Sequence, residues 1–303
     1  MKIHVGPVAV PELEEAVRAA GAELGSAEEA SALVWFGAGP ERFAEFAHSG
    51  IEWVQLPAAG IESWVESGAL RGGIRFTSAA GTYAETVAEH TLALMLAGTR
   101  QLHTMARAGR WEQPEGIRSL FGATVGILGA GGIGRALIRL LAPFGVRVLA
   151  VNRSGKPVDG ADRTWAADDA EGVRELLTGS DFVVVAAPAT AATAKLVDAG
   201  ALALMKPDAW LVNVARGSLV DTDALVDALA AGRLGGAALD VTDPEPLPAG
   251  HPLFSEPRAL VSPHTANPKS LLIPALARRV EENTRRYLAG EPLLGEVDPA
   301  AGY

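Results

Sequence analysis

The stretch Thr124-Val-Gly-Ile-Leu-Gly-Ala-Gly-Gly-Ile-Gly134 decides the fold of this 303-residue chain. Within it, the spacing Gly129-x-Gly131-x-x-Gly134 follows an apolar run that is typical of a buried strand. Apolar side chains then recur at helical intervals, and a second strand pattern, Arg147–Val151, comes next. The stretch therefore predicts a strand–helix–strand unit with a glycine-rich loop at its first turn.

Each glycine of this loop has a physical task in holding a dinucleotide. Gly129 permits a tight turn, Gly131 lets the backbone approach a pyrophosphate, and Gly134 lets helix and strand pack closely. The start of the helix, around Gly132 and Ile133, offers free amides and the positive end of the helix dipole to phosphate groups. The alternative is a turn that merely joins a strand to a helix, but the complete unit favours a dinucleotide site.

The end of the second strand indicates which dinucleotide binds. Many NAD-binding chains have an acidic residue there, which grips the ribose 2′-hydroxyl, whereas this chain has Asn152, Arg153 and Ser154. Asn152 removes the repulsion between a carboxylate and a 2′-phosphate, and Arg153 can form a charge-assisted bond to that phosphate. Ser154 adds a hydroxyl donor. These residues favour NADP(H), and NAD(H) is the alternative cofactor.

Strand and helix patterns alternate along the chain, with four strand patterns before residue 80 and six after residue 120. Such alternation is typical of parallel sheets. The predicted fold class is α/β, with two Rossmann-like, doubly wound parallel-sheet domains and a cleft between them. Because no strand follows the last helical pattern, Leu271–Ala289, this helix is predicted to return to the first domain. The predicted domains are 1–96 plus 270–303, which binds substrate, and 97–269, which binds NAD(P).

The composition excludes several classes of function. The formal net charge of −10 disfavours nucleic acid and anionic membrane surfaces as partners. The longest apolar run, Phe182–Ala189, is far shorter than the roughly 20 residues that a membrane span needs. The chain has no cysteine, which excludes disulfides, metal–thiolate sites and thiol nucleophiles and fits a reducing compartment. We therefore expect a cytoplasmic protein with no metal, nucleic-acid or membrane partner.

Three polar residues follow predicted strands of the second domain: Arg216, Glu245 and His264. Ligands of open parallel sheets bind beyond the carboxyl ends of the strands, so these side chains are expected at one site. A guanidinium can hold a carboxylate and polarise a keto oxygen. An imidazole can donate a proton near neutral pH, and a carboxylate beside it fixes its tautomer. With a nicotinamide as hydride source, this set suits the reduction of a 2-keto acid.

Each of these residues, taken alone, also has a structural explanation. Arg216 could cap a helix, Glu245 could be a turn carboxylate, and His264 could be a buried, hydrogen-bonded histidine. Their position at successive strand ends favours catalysis. His90, in contrast, lies within the helical pattern Ala84–Gly98 and is interpreted as a packed or capping histidine.

Several motifs resemble the D-isomer-specific 2-hydroxyacid dehydrogenase family, and they extend along most of the chain. They are Ala84-Glu-Thr-Val-Ala-Glu-His-Thr-Leu-Ala-Leu-Met-Leu-Ala97, Val125–Gly134, Leu211-Val-Asn-Val-Ala-Arg-Gly217, Leu239-Asp-Val-Thr-Asp-Pro-Glu-Pro-Leu-Pro248 and Ser262-Pro-His264. The last three, in this order, are highly specific for the family.

The resemblance implies a role for each site residue. Arg216 and His264 bind the substrate, His264 is the acid/base, and Glu245 is its partner. The amides of Ala59 and Gly60 hold the substrate carboxylate. The resemblance implies further cofactor contacts from Ala187, Pro188, Val214, Ala215, Asp240, His264 and Ala266, in addition to the glycine loop and residues 152–154. It also implies a homodimer built largely through the nucleotide domain.

The run Asn152-Arg153-Ser154 is similar to that of NADPH-dependent glyoxylate/hydroxypyruvate reductases. The predicted enzyme is therefore an NADP-preferring 2-keto acid reductase that forms a D-2-hydroxy acid. Ala186–Ala189 and Asn267-Pro268 depart from the usual family sequences and leave the size of the substrate open. Two alternatives remain: a corepressor-like protein that senses a dinucleotide without catalysis, and a phosphoglycerate dehydrogenase.

Overall fold

The structure is a computed structural model that describes residues 1–70 and 72–298. The chain divides into two compact units, Met1–Tyr83 with Asn267–Tyr303, and Ala84–Ala266. Each unit contains one parallel sheet with flanking helices, which confirms the predicted α/β class with two doubly wound sheets. The end of the predicted segment 270–303, residues 299–303, lies outside the described residues.

The bounds of the strands and helices follow in chain order. The strands are β1 (Lys2–Pro7), β2 (Glu23–Leu24), β3 (Ala32–Phe36), β4 (Trp53–Gln55), β5 (Arg75–Thr77), β6 (Thr124–Leu128), β7 (Arg147–Asn152), β8 (Arg163–Ala166), β9 (Phe182–Val185), β10 (Trp210–Asn213), β11 (Gly236–Leu239) and β12 (Ala259–Val261). The helices are α1 (Pro11–Ala19), α2 (Glu62–Glu66), α3 (Ala84–Thr99), α4 (Leu102–Ala108), α5 (Gly132–Leu141), α6 (Ala170–Gly179), α7 (Ala199–Leu204), α8 (Thr222–Ala230), α9 (Pro252–Ser255) and α10 (Lys269–Ala289). Across the described ranges, no helix combines the length and the apolar character needed to cross a membrane.

The sheet of the first unit has the strand order β2-β1-β3-β4-β5, and all its strands run parallel. Four aromatic side chains fill the core on one side, Trp35, Phe43, Trp64 and Phe76, with ring centroids 5.4–5.7 Å apart in four pairs. Such edge-on contacts each add about 0.5–1.5 kcal/mol beyond the burial of area. Val54 of β4 and the following Leu56 belong to the same core, which holds β4 and the start of the segment 56–60 that leaves its carboxyl end.

The sheet of the second unit has the order β12-β11-β10-β9-β6-β7-β8, again with every pair parallel. The chain builds β6, β7 and β8 outward in one direction and then crosses back to place β9 on the other side of β6. The switch point, where the strand order reverses, therefore lies between β6 and β9. The glycine loop leaves the carboxyl end of β6, which is where ligands of such sheets bind.

Helix α3 belongs wholly to the second unit, so the predicted domain boundary after residue 96 falls inside this helix. The helix packs on α5, β10 and β11. Its Gly98 packs closely against the Trp210 ring, since a Cβ at Gly98 would come within 2.6 Å of that ring. The helical pattern was predicted, but periodicity does not show which sheet a helix covers, and the observed boundary is at residues 83–84.

Two edge strands, β2 and β8, were not predicted from the sequence. The first has only two residues, and the second has no fully buried residue and lies at the margin of its sheet. Edge strands bury little apolar surface, so they lack the continuous hydrophobic run that identifies the central strands.

A buried amide network joins α10 to the sheet of the first unit. The fully buried Asn283 donates from Nδ2 to Gln55 Oε1 at 2.8 Å and to the Leu294 carbonyl at 2.9 Å. It also accepts the Leu294 amide at 2.8 Å. Gln55 lies on β4 and accepts from the Thr77 hydroxyl at 3.0 Å. The carboxyl end of β4 is thus tied to the returning C-terminal helix.

We expect the substitution Asn283→Ala to lower the free energy of unfolding by about 3 kcal/mol, because each buried polar group left without a partner costs about 1–3 kcal/mol. The measurement is urea denaturation followed by tryptophan fluorescence. Arg285→Ala, on the exposed face of the same helix, removes only surface ion pairs and is expected to cost less than about 1 kcal/mol. An equal decrease in unfolding free energy in both variants would show that the buried amide network contributes no more to stability than a surface ion pair.

Candidate active site

The loop after β6 has the close approaches that its glycines predict. Gly129 has φ +102°, and a Cβ there would lie 2.4 Å from the Ala187 amide nitrogen. A Cβ at Gly134 would lie 3.1 Å from the Gly129 carbonyl oxygen and from Ile127. Larger side chains at Gly129 and Gly134 would therefore push apart the strand, the loop and the helix.

Gly131 differs from its two neighbours in the motif, because a Cβ there would meet no atom within 4 Å among the described residues. Its glycine keeps open the space in front of the start of α5. The amides of Gly132, Ile133 and Gly134 have no partner within the helix, since they belong to its first turn. Open space before free amides and a positive dipole end suits a pyrophosphate, so these residues fit a dinucleotide.

The end of β7 is held by the side chain of Asn152. Its Oδ1 accepts the Ser154 amide at 3.0 Å, and its Nδ2 donates to the Lys156 carbonyl at 2.8 Å. The Ser154 hydroxyl also lies 3.3 Å from Asn152 Oδ1. Asn152 therefore shapes the turn from within, while Arg153 and Ser154 are exposed on it.

Arg216 is held by a turn at the end of β10 in which the fully buried Asn213 plays the central part. Asn213 donates from Nδ2 to the Arg216 carbonyl at 2.9 Å and accepts the Ala215 amide at 3.1 Å. The following Gly217 lies against the Thr242 backbone, since a Cβ there would lie 1.9 Å from the Thr242 carbonyl oxygen. This packing brings the Arg216 turn beside the segment that leads to Glu245.

Asp240 follows β11, and its carboxylate is only 1% exposed. Oδ1 accepts the Ser262 hydroxyl at 2.6 Å and the Thr265 amide at 2.8 Å, and Oδ2 accepts the Ala266 amide at 2.9 Å. The His90 Nε2 atom lies 3.3 Å from Oδ1. Burial alone would raise the pKa of the Asp240 carboxyl, but hydrogen bonds from His90, Ser262 and two amides outweigh burial and hold this pKa well below its usual range.

His264 and Glu245 form a hydrogen-bonded pair. His264 Nδ1 lies 2.7 Å from Glu245 Oε1, and the two side chains are 51% and 43% exposed. A carboxylate can only accept, so Nδ1 carries a proton and Nε2 is the atom left to face a ligand. The His264 backbone is in the left-handed region, with φ +52°, and its amide donates to the Asp240 carbonyl at 2.8 Å.

The remaining predicted residues fall at the carboxyl edges of the two sheets. In the second unit, Ala187 and the exposed Pro188 follow β9, and the buried Val214 and Ala215 follow β10. In the first unit, Ala59 and Gly60 follow β4. Their loop is fixed by two hydrogen bonds, from the Tyr83 hydroxyl to the Pro57 carbonyl (2.6 Å) and from the Ala79 amide to the Ala58 carbonyl (2.8 Å).

Over residues 1–70 and 72–298, no group of three or more carboxylate or imidazole residues could hold a metal ion.

Three residues that support the site were not predicted to do so: His90, which was interpreted as a packed or capping histidine, Asn213 and Ser262. Asn213 and Ser262 lie inside the quoted motifs, yet nothing in the motifs distinguishes a residue that orients a neighbour from one that binds a ligand. His90 lies 150 residues from Asp240 in the chain, and its helical pattern is typical of simple packing. Only the packing of α3 on β11 brings the two together.

Comparison with known proteins agrees with this geometry. Residues 92–266 match the model of the D-isomer specific 2-hydroxyacid dehydrogenase, NAD binding domain. The chain is 36% identical to a glyoxylate reductase of Thermofilum pendens, over 77% of this chain and 69% of that protein. It is 32% identical to the human glyoxylate reductase/hydroxypyruvate reductase, over 85% and 80% of the two chains.

A solved structure resembles the whole chain. It is a D-isomer specific 2-hydroxyacid dehydrogenase from Xanthobacter autotrophicus Py2 in complex with NADPH and MES. The TM-score is 0.85 and the sequence identity is 31%, and the match covers 100% of this chain and 99% of that one. Matches of this extent show the same fold in both units.

We expect Gly131→Ala to fold normally and to lose dinucleotide binding. Gly131 has φ −84° and ψ −144°, a combination outside the main regions for residues with a Cβ, and a Cβ there would meet no described atom within 4 Å. The unfolding free energy should fall by only about 1–3 kcal/mol, the cost of a sparsely populated backbone conformation for a residue with a Cβ. The dissociation constants for NADPH and NADH should rise at least about tenfold, because about 1.4 kcal/mol of lost contact suffices for that.

The measurement is isothermal titration calorimetry beside thermal unfolding. Gly179→Ala, at the end of α6 in the same unit, is the matched control, since its Cβ would meet Leu149 at an ordinary 3.4 Å. Unchanged affinity in Gly131→Ala would mean that the pyrophosphate does not approach the loop at this position.

Proposed function

The chain belongs to the D-isomer specific 2-hydroxyacid dehydrogenase family, and we propose that it reduces a small 2-keto acid of the glyoxylate or hydroxypyruvate type to the D-2-hydroxy acid. The observation that carries this proposal is the His264–Glu245 pair, 2.7 Å apart, on the same sheet edge as the phosphate loop and the Arg216 turn. Reduction of a keto acid requires a proton donor, a positively charged group that binds the substrate, and a loop that binds the dinucleotide. All three are found at this edge.

His264 supplies the proton. Glu245 accepts the Nδ1 hydrogen and thereby presents Nε2 toward the ligand side, where it donates to the oxygen that becomes the new hydroxyl. In the reverse direction the same nitrogen accepts that proton.

Arg216 supplies the positive charge. Its guanidinium can bind the substrate carboxylate and polarise the keto oxygen, which favours the negative charge that develops there during reduction. The Asn213 turn and the close approach at Gly217 fix its backbone, so little entropy is lost when the substrate binds. The Ala59 and Gly60 amides are proposed to share in holding the substrate carboxylate.

The cofactor is proposed to lie along the carboxyl edge of the second sheet, and when bound it supplies the hydride. Gly129, Gly131 and the first amides of α5 would hold its pyrophosphate. At the end of β7, Asn152 is occupied in shaping its own turn, and the exposed Arg153 and Ser154 would meet the ribose. With no carboxylate at this strand end, we propose a preference for NADPH over NADH.

We also propose that the protein is a homodimer. Three large apolar side chains are exposed between α4 and β6, in and after the irregular segment 109–119: Trp111, Ile117 and Phe121. Leu102, at the start of α4, is also exposed. Trp111 is fully exposed. Several large exposed apolar side chains in one stretch of chain are typical of a surface that another chain covers.

The proposed activity is tested by initial rates of NADPH oxidation with glyoxylate, hydroxypyruvate, pyruvate, phenylpyruvate and phosphohydroxypyruvate. We expect turnover with the smaller acids. His264→Ala should lower kcat by about a hundredfold or more, the usual contribution of a positioned general acid, while the dissociation constant for NADPH stays within about twofold.

His48→Ala removes an exposed histidine of the first unit and serves as the control, with unchanged rates expected. Normal turnover in His264→Ala would remove this residue from the mechanism. Tight NADPH binding without turnover of any acid by the wild type would favour a dinucleotide sensor.

The preference for NADPH is tested by Arg153→Ala. Loss of a hydrogen bond to a charged group costs about 1.5–3 kcal/mol, so kcat/KM for NADPH should fall roughly tenfold to a hundredfold while that for NADH changes little. Arg147→Ala, an exposed arginine at the opposite end of the same strand, should alter neither value. Equal losses for both cofactors would contradict a role of Arg153 at the 2′-phosphate.

A further inference from the structure

His90, on helix α3, contacts the buried polar cluster behind the proposed proton donor. Its Nε2 atom lies 3.2 Å from the Ser262 hydroxyl oxygen and 3.3 Å from Asp240 Oδ1, and its side chain is 24% exposed. In the described part of the chain, it is the only side chain from outside the segment 240–266 that reaches this carboxylate. A histidine in a packed helix needs no such partner.

The network fixes the proton positions. Ser262 has one hydroxyl hydrogen, and its 2.6 Å contact to the ionised Asp240 assigns that hydrogen to the carboxylate. The Ser262 oxygen that faces His90 can then only accept, as can Asp240 Oδ1. The His90 Nε2 atom therefore carries a hydrogen and donates it toward both oxygens.

This order of groups does not make Ser262 a nucleophile. A nucleophilic serine needs a base that accepts its hydrogen, with a third group that orients the base. Here the hydrogen of Ser262 goes directly to the carboxylate, and His90 donates instead of accepting. The cluster is arranged to hold a carboxylate still.

Asp240 in turn holds the turn at His264 through both its carboxylate and its backbone carbonyl. The two carboxylate oxygens accept the amides of Thr265 and Ala266, and the Asp240 carbonyl accepts the His264 amide at 2.8 Å. His264 has φ +52°, a left-handed conformation that costs a residue with a Cβ roughly 1–2 kcal/mol. Such a conformation persists only where its surroundings impose it, and here three amides bonded to Asp240 impose it.

We propose that His90 is a positioning residue for the proton donor: by donating to Asp240 and Ser262, it fixes the carboxylate that sets the backbone of His264. This inference rests on the proposed role of His264 in reduction. Helix α3 also packs on α5, whose first turn carries the phosphate loop. The same helix therefore contacts both the helix that follows the phosphate loop and the carboxylate that holds the turn at His264.

The first experiment does not depend on activity. Hydrogen exchange of the Thr265 and Ala266 amides is followed by mass spectrometry of short peptides in wild type and in His90→Phe, which keeps a ring but cannot donate. Faster exchange of these amides, by about tenfold or more, is expected because local opening of the turn becomes easier. Exchange identical to that of the wild type would overturn the proposal.

The second experiment measures steady-state kinetics with NADPH and the best 2-keto acid. His90→Phe should lower kcat about tenfold to a hundredfold, the loss typical of a reacting group displaced by about 1 Å, and leave KM for the acid within about threefold. The solvent deuterium isotope effect on kcat should rise, because proton donation becomes slower. His90→Gln, whose amide can still donate, should recover most of kcat.

Two controls separate positioning from a general loss of stability. His103→Phe removes another partly buried helix histidine of the same unit, one that bonds to the Pro257 carbonyl, and should leave kcat and the isotope effect unchanged. Ser262→Ala should act in the same direction as His90→Phe, and the double variant should lose less than the product of the single losses.

Each result bears on one proposal at a time. A lower kcat in His90→Phe with an unchanged isotope effect and no rescue by glutamine would show a merely structural histidine and overturn the inference. A wild type without turnover would contradict the proposed function, and the exchange of the Thr265 and Ala266 amides would still decide whether His90 holds this turn.

Discussion

A buried, ionised carboxylate is the constraint on which the candidate site depends. Asp240 is withdrawn from water, so its charge requires donors, and it finds them in Ser262, His90 and the amides of Thr265 and Ala266. These donors come from a helix and from the turn after the last strand of the sheet. Satisfying one charge therefore joins α3, β11 and β12 and leaves His264 in a conformation that it would not adopt alone.

The parallel direction of the second sheet explains why so much of the site could be predicted. When every strand points the same way, every carboxyl end lies at one edge, so residues that follow strands meet without any knowledge of side-chain packing. The glycine loop, the Arg216 turn and the His264–Glu245 pair were located by this reasoning. The central strands were also found, because each buries a continuous apolar run.

What could not be predicted depends on packing between distant segments. Helix α3 lies in the second unit, where its Gly98 packs closely against Trp210, and no periodicity reveals this contact. The same packing carries His90 to Asp240, and a helical pattern gives no sign of a polar partner 150 residues away. Asn152 was correctly identified as the residue at the end of β7, but its bonds within the turn depend on local backbone geometry. The short edge strands were not predicted for a related reason: they bury too little apolar surface to show a continuous hydrophobic run in the sequence.

The strand order also separates the choice of dinucleotide from the chemistry. The Asn152 turn follows β7, the phosphate loop follows β6, and Asp240 follows β11, on the other side of the switch point. The ends of β7 and β11 are four strand spacings of about 4.8 Å apart, which is roughly 19 Å along the edge. Only an extended ligand can therefore reach both ends. Substitutions in the Asn152 turn can therefore alter the recognition of a 2′-phosphate without moving the proton donor, because no described hydrogen bond joins that turn to the Asp240 cluster. Helix α3 contacts α5, which carries the phosphate loop, and through His90 it also contacts Asp240.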